Sequence, residues 1–104
     1  MKINEILQEF RKEIIQLYRK RFKKIILYGS WARKQATKDS DIDILVVLKG
    51  KVVPGKEIDR MIDVITKINL KYGVLISVYP VSEDKFAKIN SPLLMNVRKE
   101  GVAV

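Results

Sequence analysis

Two aspartates in an otherwise apolar segment are the first candidates for chemistry. Asp41 and Asp43 stand two residues apart in a run of isoleucine, leucine and valine that extends to Leu48. Aspartate is disfavoured inside β-strands, and the two-residue period of a strand directs both carboxylates to one face. Carboxylates held together repel each other unless a cation lies between them, and Mg²⁺ prefers such oxygen ligands. The pair predicts a magnesium site; the alternative is a turn at Asp41 with Asp43 paired to a lysine or arginine.

A glycine and a serine lie upstream of this acidic pair. Gly29 and Ser30 follow a short apolar run, and the residues after them can form a helical turn. N–H groups at the start of a helix bind anions, glycine lets a phosphate approach the backbone, and the Ser30 hydroxyl can bind a phosphate oxygen. Arg33, one turn later, can add a charge-assisted contact. An ordinary turn is the alternative for this segment alone, but beside the acidic pair it predicts a phosphate cradle next to a metal site.

Composition excludes several other kinds of catalysis. The chain of 104 residues has no cysteine and no histidine, which removes thiol nucleophiles, Cys/His metal sites and histidine-based general-base schemes. The net charge of +9 favours an anionic partner such as a nucleotide, nucleic acid or acidic protein surface, although a thermophile's composition would also explain it. The first ten residues do not resemble a signal peptide, and no apolar run is long enough to span a membrane. We therefore expect a cytoplasmic protein with no membrane association.

The remaining pattern predicts alternating helices and strands. In chain order we expect a helix over 3–20, a strand over 25–28, a short helix over 31–35, a strand over 41–48, a helix that follows 54–55 and is capped by Gly73, a strand over 74–79 ended by Pro80, a helix over 83–99 interrupted at 90–92, and an edge strand over 101–104. This order predicts one domain over residues 1–104, of the α/β (α+β) class, with helices covering the sheet.

The stretch from Tyr28 to Val47 resembles the signature of the minimal nucleotidyltransferases of the DNA polymerase β superfamily. It includes the Gly-Ser pair, an Ala-Arg pair at 32–33 and the Ser-Asp-Ile-Asp core at 40–43, and the closing segment 98–102 also looks typical. The resemblance implies a polymerase β palm-like fold with a small mixed β-sheet. It also implies transfer of a nucleoside monophosphate from an NTP, foremost AMP from ATP, to a hydroxyl, assisted by two Mg²⁺ ions.

Particular residues acquire roles through this resemblance. Asp41 and Asp43 would be the catalytic residues and ligate both metal ions. Gly29 and Ser30 would hold the β- and γ-phosphates, and Arg33 is an additional candidate for nucleotide binding. Catalysis of this kind consists mostly of positioning and charge neutralisation, which a chain without histidine can perform.

The sequence departs from the family pattern at two places. Active members carry a third carboxylate on the strand after the second long helix, where this chain has Ser77 as the only polar residue in mid-strand. A neutral hydroxyl is a poor Mg²⁺ ligand, so only one of the two metal positions is expected to be filled if nothing replaces it. Glu83 or Asp84 lies just beyond and is the alternative source of a carboxylate. Lys34 occupies a position where the family commonly has glycine.

Two functions of different class follow. The first is an active enzyme that modifies a protein, nucleic acid or small molecule. The family resemblance implies that it would be the antitoxin paired with a small helical HEPN-type toxin, in a homo- or hetero-oligomer. The second is a catalytically weak or inactive NTP-binding module that acts by binding a partner protein. A basic nucleic-acid-binding domain is a third reading, without a recognised motif. The aromatic residues Tyr28, Trp31 and Tyr79 border apolar strands and are interpreted as core or rim residues, not base-stacking platforms.

Overall fold

The computed structural model describes residues 2–104 and contains five α-helices and four β-strands within them. The helices are α1 (Ile3–Tyr18), α2 (Gly29–Ala32), α3 (Pro54–Tyr72), α4 (Glu83–Lys88) and α5 (Pro92–Glu100), and the strands are β1 (Phe22–Tyr28), β2 (Ile42–Leu48), β3 (Ile76–Ser82) and β4 (Val102–Ala103). A 3₁₀ turn over Arg19–Arg21 joins α1 to β1. The predicted α/β class is confirmed.

The four strands form one mixed sheet in the order β3-β2-β1-β4. β1 is antiparallel to β2 and to β4, whereas β2 and β3 are parallel. A parallel pair requires a crossover connection, and the long helix α3 supplies it. Because β2 begins where β1 ends and lies beside the beginning of β3, one end of the sheet gathers the last residue of β1 and the first residues of β2 and β3. The chemistry predicted from the sequence falls at this end.

Helices cover both faces of the sheet. α1 and α3 pack on one face against alternate residues of β2, including Ile44 and Val46, which are fully buried. On the other face Leu45 of β2 packs against Leu94 and Val97 of α5. The central strand β2 is buried from both sides, and this explains why its sequence is continuously apolar instead of alternating.

The helix boundaries agree largely with the sequence. α3 ends at Gly73, whose φ of 64° and ψ of 39° are the left-handed conformation that favours glycine, so the predicted cap is confirmed. The last predicted helix divides at 90–92 as expected, because Ser91 accepts a hydrogen bond from the Leu94 N–H and starts α5. α1 ends two residues earlier than predicted, since Arg19 adopts φ 50° and leaves the helical region.

The third strand contradicts the sequence prediction, because it continues through Pro80 to Ser82. The Ile42 N–H donates to the Leu75 carbonyl oxygen, so by alternation the odd-numbered residues of β3 direct their backbone groups towards β2. Pro80 is even-numbered and directs its nitrogen towards the outer edge of the sheet, where no strand pairs with it. The missing N–H of proline therefore breaks no ladder bond.

Candidate active site

The Gly-Ser pair lies where β1 passes directly into α2. Gly29 has a φ of 74°, which residues with a Cβ rarely adopt. The Arg33 N–H donates to the Gly29 carbonyl at 3.1 Å and the Gln35 N–H donates to the Ser30 carbonyl at 2.9 Å, so the carbonyl oxygens of the turn are used internally. The N–H groups at the start of a helix have no partner within it, and within residues 2–104 no side chain caps α2. These N–H groups and the Ser30 hydroxyl are the groups that can receive a phosphate.

Asp43 of β2 lies directly against Gly29. Tyr28 and Asp43 are partners in the antiparallel register, which places the Asp43 side chain beside the start of α2. A Cβ built on Gly29 would overlap Oδ2 of Asp43 and lie 3.1 Å from its Cγ. The structure thus joins the two segments that the sequence singled out, and it gives Gly29 a reason beyond its φ: any larger residue would displace the carboxylate.

The two aspartates influence each other electrostatically. Asp43 is partly buried, and Asp41 is exposed one residue before β2 begins, although the sequence predicted it as the first residue of the strand. Burial raises the pKa of Asp43, the charge of Asp41 raises it further, and the Arg33 guanidinium lowers it. Burial and the charge of Asp41 thus outweigh the effect of Arg33, and the surroundings of Asp43 on balance disfavour its ionised form.

The donor set fits a divalent cation that is shared with a substrate. Within residues 2–104, no three or more His, Cys, Asp or Glu side chains form a group that could hold a metal ion. Mg²⁺ commonly binds through one or two carboxylates and completes its shell with waters and substrate phosphates. Asp41 and Asp43 supply two carboxylates, the electrostatics of Asp43 favour a cation, and the α2 turn lies beside them for phosphates. These residues therefore fit a Mg²⁺ ion bound together with a nucleotide.

Ser77 lies on the other side of Asp43. The two residues are register partners in the parallel ladder of β2 and β3, so their side chains share one face of the sheet. Ser77 thus occupies the place where a third carboxylate would face the other two. The proposed substitutes do not reach this place: Glu83 begins α4 at the far end of β3, roughly 20 Å along the strand, and forms an ion pair with Lys23 at 3.1 Å. Asp84 follows it in α4.

Arg33 and Lys34 have surroundings that the sequence did not reveal. Arg33 binds Oε1 of Glu100 at 3.0 Å and Oε1 of Gln35 at 3.2 Å, so its guanidinium is held by α5. It lies near enough to Asp43 to lower the pKa of that carboxyl. Lys34 has a φ of 59°, the left-handed conformation that glycine adopts without strain. This backbone conformation accounts for the glycine that the family commonly has at residue 34.

The aromatic residues divide into two kinds. Trp31 packs against the core and donates from Nε1 to the Ser40 carbonyl at 3.3 Å, which ties α2 to the loop before the acidic pair. Tyr28 and Tyr79 instead lie on the same sheet face as Asp43 and Ser77. Burial and the charges of Asp43 and Tyr79 raise the pKa of Tyr28. The position of Tyr28 directly before Gly29 was the one sequence signal of its proximity to the site.

Comparison with known proteins gives the family. Residues 7–103 match the nucleotidyltransferase domain family, and this range includes all four strands and every helix except the first turn of α1. The chain therefore belongs to the nucleotidyltransferase domain family, as its signature segment indicated.

Two curated relatives come from Methanocaldococcus jannaschii, and both carry the provisional name protein adenylyltransferase. One is 45% identical over 102 residues, which are 97% of this chain and 96% of the relative. The other is 34% identical over 104 residues and covers both chains completely. The similarity therefore spans the fold and the candidate site together.

Solved structures share the fold at low sequence identity. A protein of Sulfolobus solfataricus described provisionally as a nucleotidyltransferase has a TM-score of 0.66 and 18% identity, covering 95% of this chain and 76% of its own. A toxin–antitoxin structure with AMP-PNP has a TM-score of 0.61 and 19% identity, covering 88% of this chain and 69% of its own. A mutant of the toxin–antitoxin pair MntA-HpeT superposes with a TM-score of 0.58 and 17% identity, with the same coverage.

Among the described residues, none of the helices combines the length and the apolar character needed to cross a membrane.

Proposed function

We propose that this nucleotidyltransferase-family chain is a Mg²⁺-dependent enzyme that transfers AMP from ATP to a hydroxyl group of a protein, with nucleic acid as the alternative acceptor. The observation that carries the proposal is the direct apposition of Gly29 and Asp43, because it sets a phosphate-binding turn against an acidic pair. The reaction takes place in the cytoplasm, where ATP is available.

The position of each residue in the site determines its proposed role. The start of α2, with Gly29 and the Ser30 hydroxyl, receives the terminal phosphates of the nucleotide. Asp41 and Asp43 hold Mg²⁺, which when bound supplies charge neutralisation at the reacting phosphate. Arg33 contributes its positive charge from a fixed place, since Glu100 holds its guanidinium at 3.0 Å. Each of these groups binds or positions the substrate, and none needs to act as a histidine-like proton carrier.

The relatives support the choice of acceptor. The two relatives that align over almost their whole length are both named protein adenylyltransferase. A protein is therefore the first acceptor to test. Two of the three structural neighbours described above are toxin–antitoxin proteins, one of them with an ATP analogue. We accordingly propose that this chain acts as an antitoxin whose acceptor is a small helical toxin of the HEPN type, with which it forms a hetero-oligomer.

A second candidate function rests on Ser77. The position beside Asp43 that would hold a third carboxylate has only a hydroxyl. Such a site could hold the nucleotide and one Mg²⁺ ion without efficient turnover, because a hydroxyl is a weaker ligand than a carboxylate. The chain would then act as a nucleotide-binding module that inhibits its partner by binding it.

Label transfer separates these functions. The purified chain would be incubated with Mg²⁺, ATP labelled on the α-phosphate, and candidate acceptor proteins, beginning with small helical proteins of the HEPN type. We expect label on the acceptor, lost in Asp41→Ala and Asp43→Ala and retained in Asp39→Asn, which removes an exposed carboxylate of the same loop. ATP binding without transfer to any acceptor would instead favour the binding module. A chain that binds neither ATP nor Mg²⁺ would contradict both functions.

A further inference from the structure

The site has two sides, and the phosphates require only one of them. Asp43 lies between Tyr28-Gly29 on the β1 side and Ser77 on the β3 side. Under the proposed function the terminal phosphates bind at the α2 turn, on the β1 side. The β3 side is therefore left for the group that attacks the α-phosphate.

A tyrosine hydroxyl belongs to that side. Tyr79 is two residues beyond Ser77 in β3, so its side chain is on the same sheet face as Ser77 and Asp43. Tyr79 as a residue is 40% exposed, whereas its register partner Leu45 is fully buried. Tyr79 also has room to move, since β3 is an edge strand with a neighbouring strand on one side only.

The distance between Asp43 and Tyr79 is one that an aromatic side chain can span. Adjacent strands lie about 4.8 Å apart and two residues along a strand span roughly 6.7 Å, so the diagonal from Asp43 to Tyr79 is about 8 Å between Cα atoms. Aromatic side chains reach across such diagonals. Tyr28 is also on this face, but it is half-buried against the core that α5 covers and lies on the phosphate side.

We propose that Tyr79 is an internal acceptor, so that the chain nucleotidylates itself on this hydroxyl. The proposal rests on the proposed function, since it uses the same nucleotide and the same carboxylates. The Tyr79 oxygen forms a bond to the α-phosphorus of ATP, the bond from that phosphorus to the β-phosphate oxygen breaks, pyrophosphate leaves with the electron pair, and the phenolic proton passes to water. Atoms and electrons balance without a further reactant.

Self-modification would also regulate the site. An AMP group on Tyr79 occupies the β3 side, where an external acceptor must approach. The modified chain would therefore bind ATP on the β1 side yet transfer AMP to other proteins more slowly.

The experiment uses the purified full chain with Mg²⁺ and ATP labelled on the α-phosphate, and no other protein. We expect an AMP adduct on the peptide that contains Tyr79, located by fragmentation mass spectrometry, and its loss in Tyr79→Phe. Phenylalanine keeps the ring and its strand preference, so calorimetric ATP binding should be retained in this variant. Tyr28→Phe is the matched control and should keep the adduct.

A mixing experiment tests whether the transfer is internal. An Asp43→Asn chain that retains Tyr79 would be mixed with active wild-type chain, and it should stay unlabelled. Label on the Asp43→Asn chain, an adduct on any residue other than Tyr79, or an unmodified chain that binds ATP would each overturn the proposal while leaving the proposed function standing. Failure of the wild-type chain to bind ATP would instead remove the proposed function, and this proposal with it.

Discussion

Gly29 and Asp43 approach each other so closely across β1 and β2 that no Cβ fits between them. The turn that can receive phosphate therefore lies directly against the carboxylate of Asp43, with the backbone of Gly29 facing that side chain. A side chain at residue 29 would separate them. The geometry of the site therefore depends on a glycine that itself has no functional group.

Gly29→Ala should both destabilise the fold and disturb the site. The φ of 74° is strained for alanine, and its Cβ would push against the Asp43 carboxylate. We expect a loss of about 1–3 kcal/mol in the free energy of unfolding, measured by denaturant titration, together with weaker Mg²⁺-dependent ATP binding.

Gly50 allows the effect of the strained backbone to be separated from the effect of the contact with Asp43. Gly50 has a similar φ of 79°, but no atom lies within 4 Å of the position of a Cβ. Gly50→Ala should therefore show the cost of the strained backbone alone, about 1–2 kcal/mol, and leave ATP binding unchanged. Equal ATP binding in Gly29→Ala and Gly50→Ala would show that the contact with Asp43 is irrelevant to the site.

Ser77→Asp should make the site a better metal site. The new carboxylate would face Asp43 across the parallel ladder and add a third oxygen ligand. Without Mg²⁺ the added repulsion should lower the melting temperature, and Mg²⁺ should raise it by more than in the wild type. Thermal melts over a Mg²⁺ series provide the measurement, with Ser77→Asn as the uncharged control. An identical Mg²⁺ response in the Asp and Asn variants would place Ser77 outside the metal site.

Lys34→Gly should stabilise the protein. Lys34 adopts a φ of 59°, where a Cβ is strained and glycine is not. Relief of that strain exceeds the entropy that glycine adds to the unfolded chain, so we expect a gain of roughly 0.5–1 kcal/mol in unfolding free energy. Lys34→Ala removes the same charge without relieving the backbone, and it should show no such gain. If both variants behave alike, the charge and not the backbone determines the effect.

Asp43→Asn should stabilise the metal-free protein at neutral pH. The pKa of Asp43 is raised in the folded state by burial and by Asp41, so its ionised form is less stable folded than unfolded. The advantage of asparagine should be full above the folded-state pKa and disappear as the pH falls through that pKa towards the unfolded value. Unfolding free energies of the wild type and the variant, measured across this pH range without metal, test the sign of their difference in stability. A wild type that is more stable than the variant at neutral pH would contradict it.

The sequence predicted the parts of the site that depend on local pattern. Asp41 and Asp43 were conspicuous because strands that read Ile-Leu-Val rarely contain carboxylates. Gly29 and Ser30 were conspicuous because they stop an apolar run. The pattern also predicted that these two segments lie side by side, but nothing local specifies that β1 and β2 pair in the register that sets Tyr28 opposite Asp43.

Features that depend on tertiary context were predicted less well. Pro80 was expected to end β3, but a sequence does not show that a strand lies at a sheet edge with that nitrogen facing outwards. The contact of Arg33 with Glu100 joins residues 67 positions apart in the chain and has no local signal. Glu83 is near Ser77 along the chain, yet β3 separates the two by its length and places Glu83 at the far end of the sheet, where it binds Lys23.

The central claim is that Asp43 couples Mg²⁺ to nucleotide, and calorimetric titration of ATP with and without Mg²⁺ tests it most directly. We expect Mg²⁺ to tighten ATP binding to the wild type by about tenfold or more, equivalent to roughly 1.4 kcal/mol of coupling. In Asp43→Asn the same ion should give little enhancement, because the ligand that links metal to phosphate is absent, whereas Asp39→Asn should behave as the wild type. An equal Mg²⁺ enhancement in the wild type and in Asp43→Asn would contradict the account.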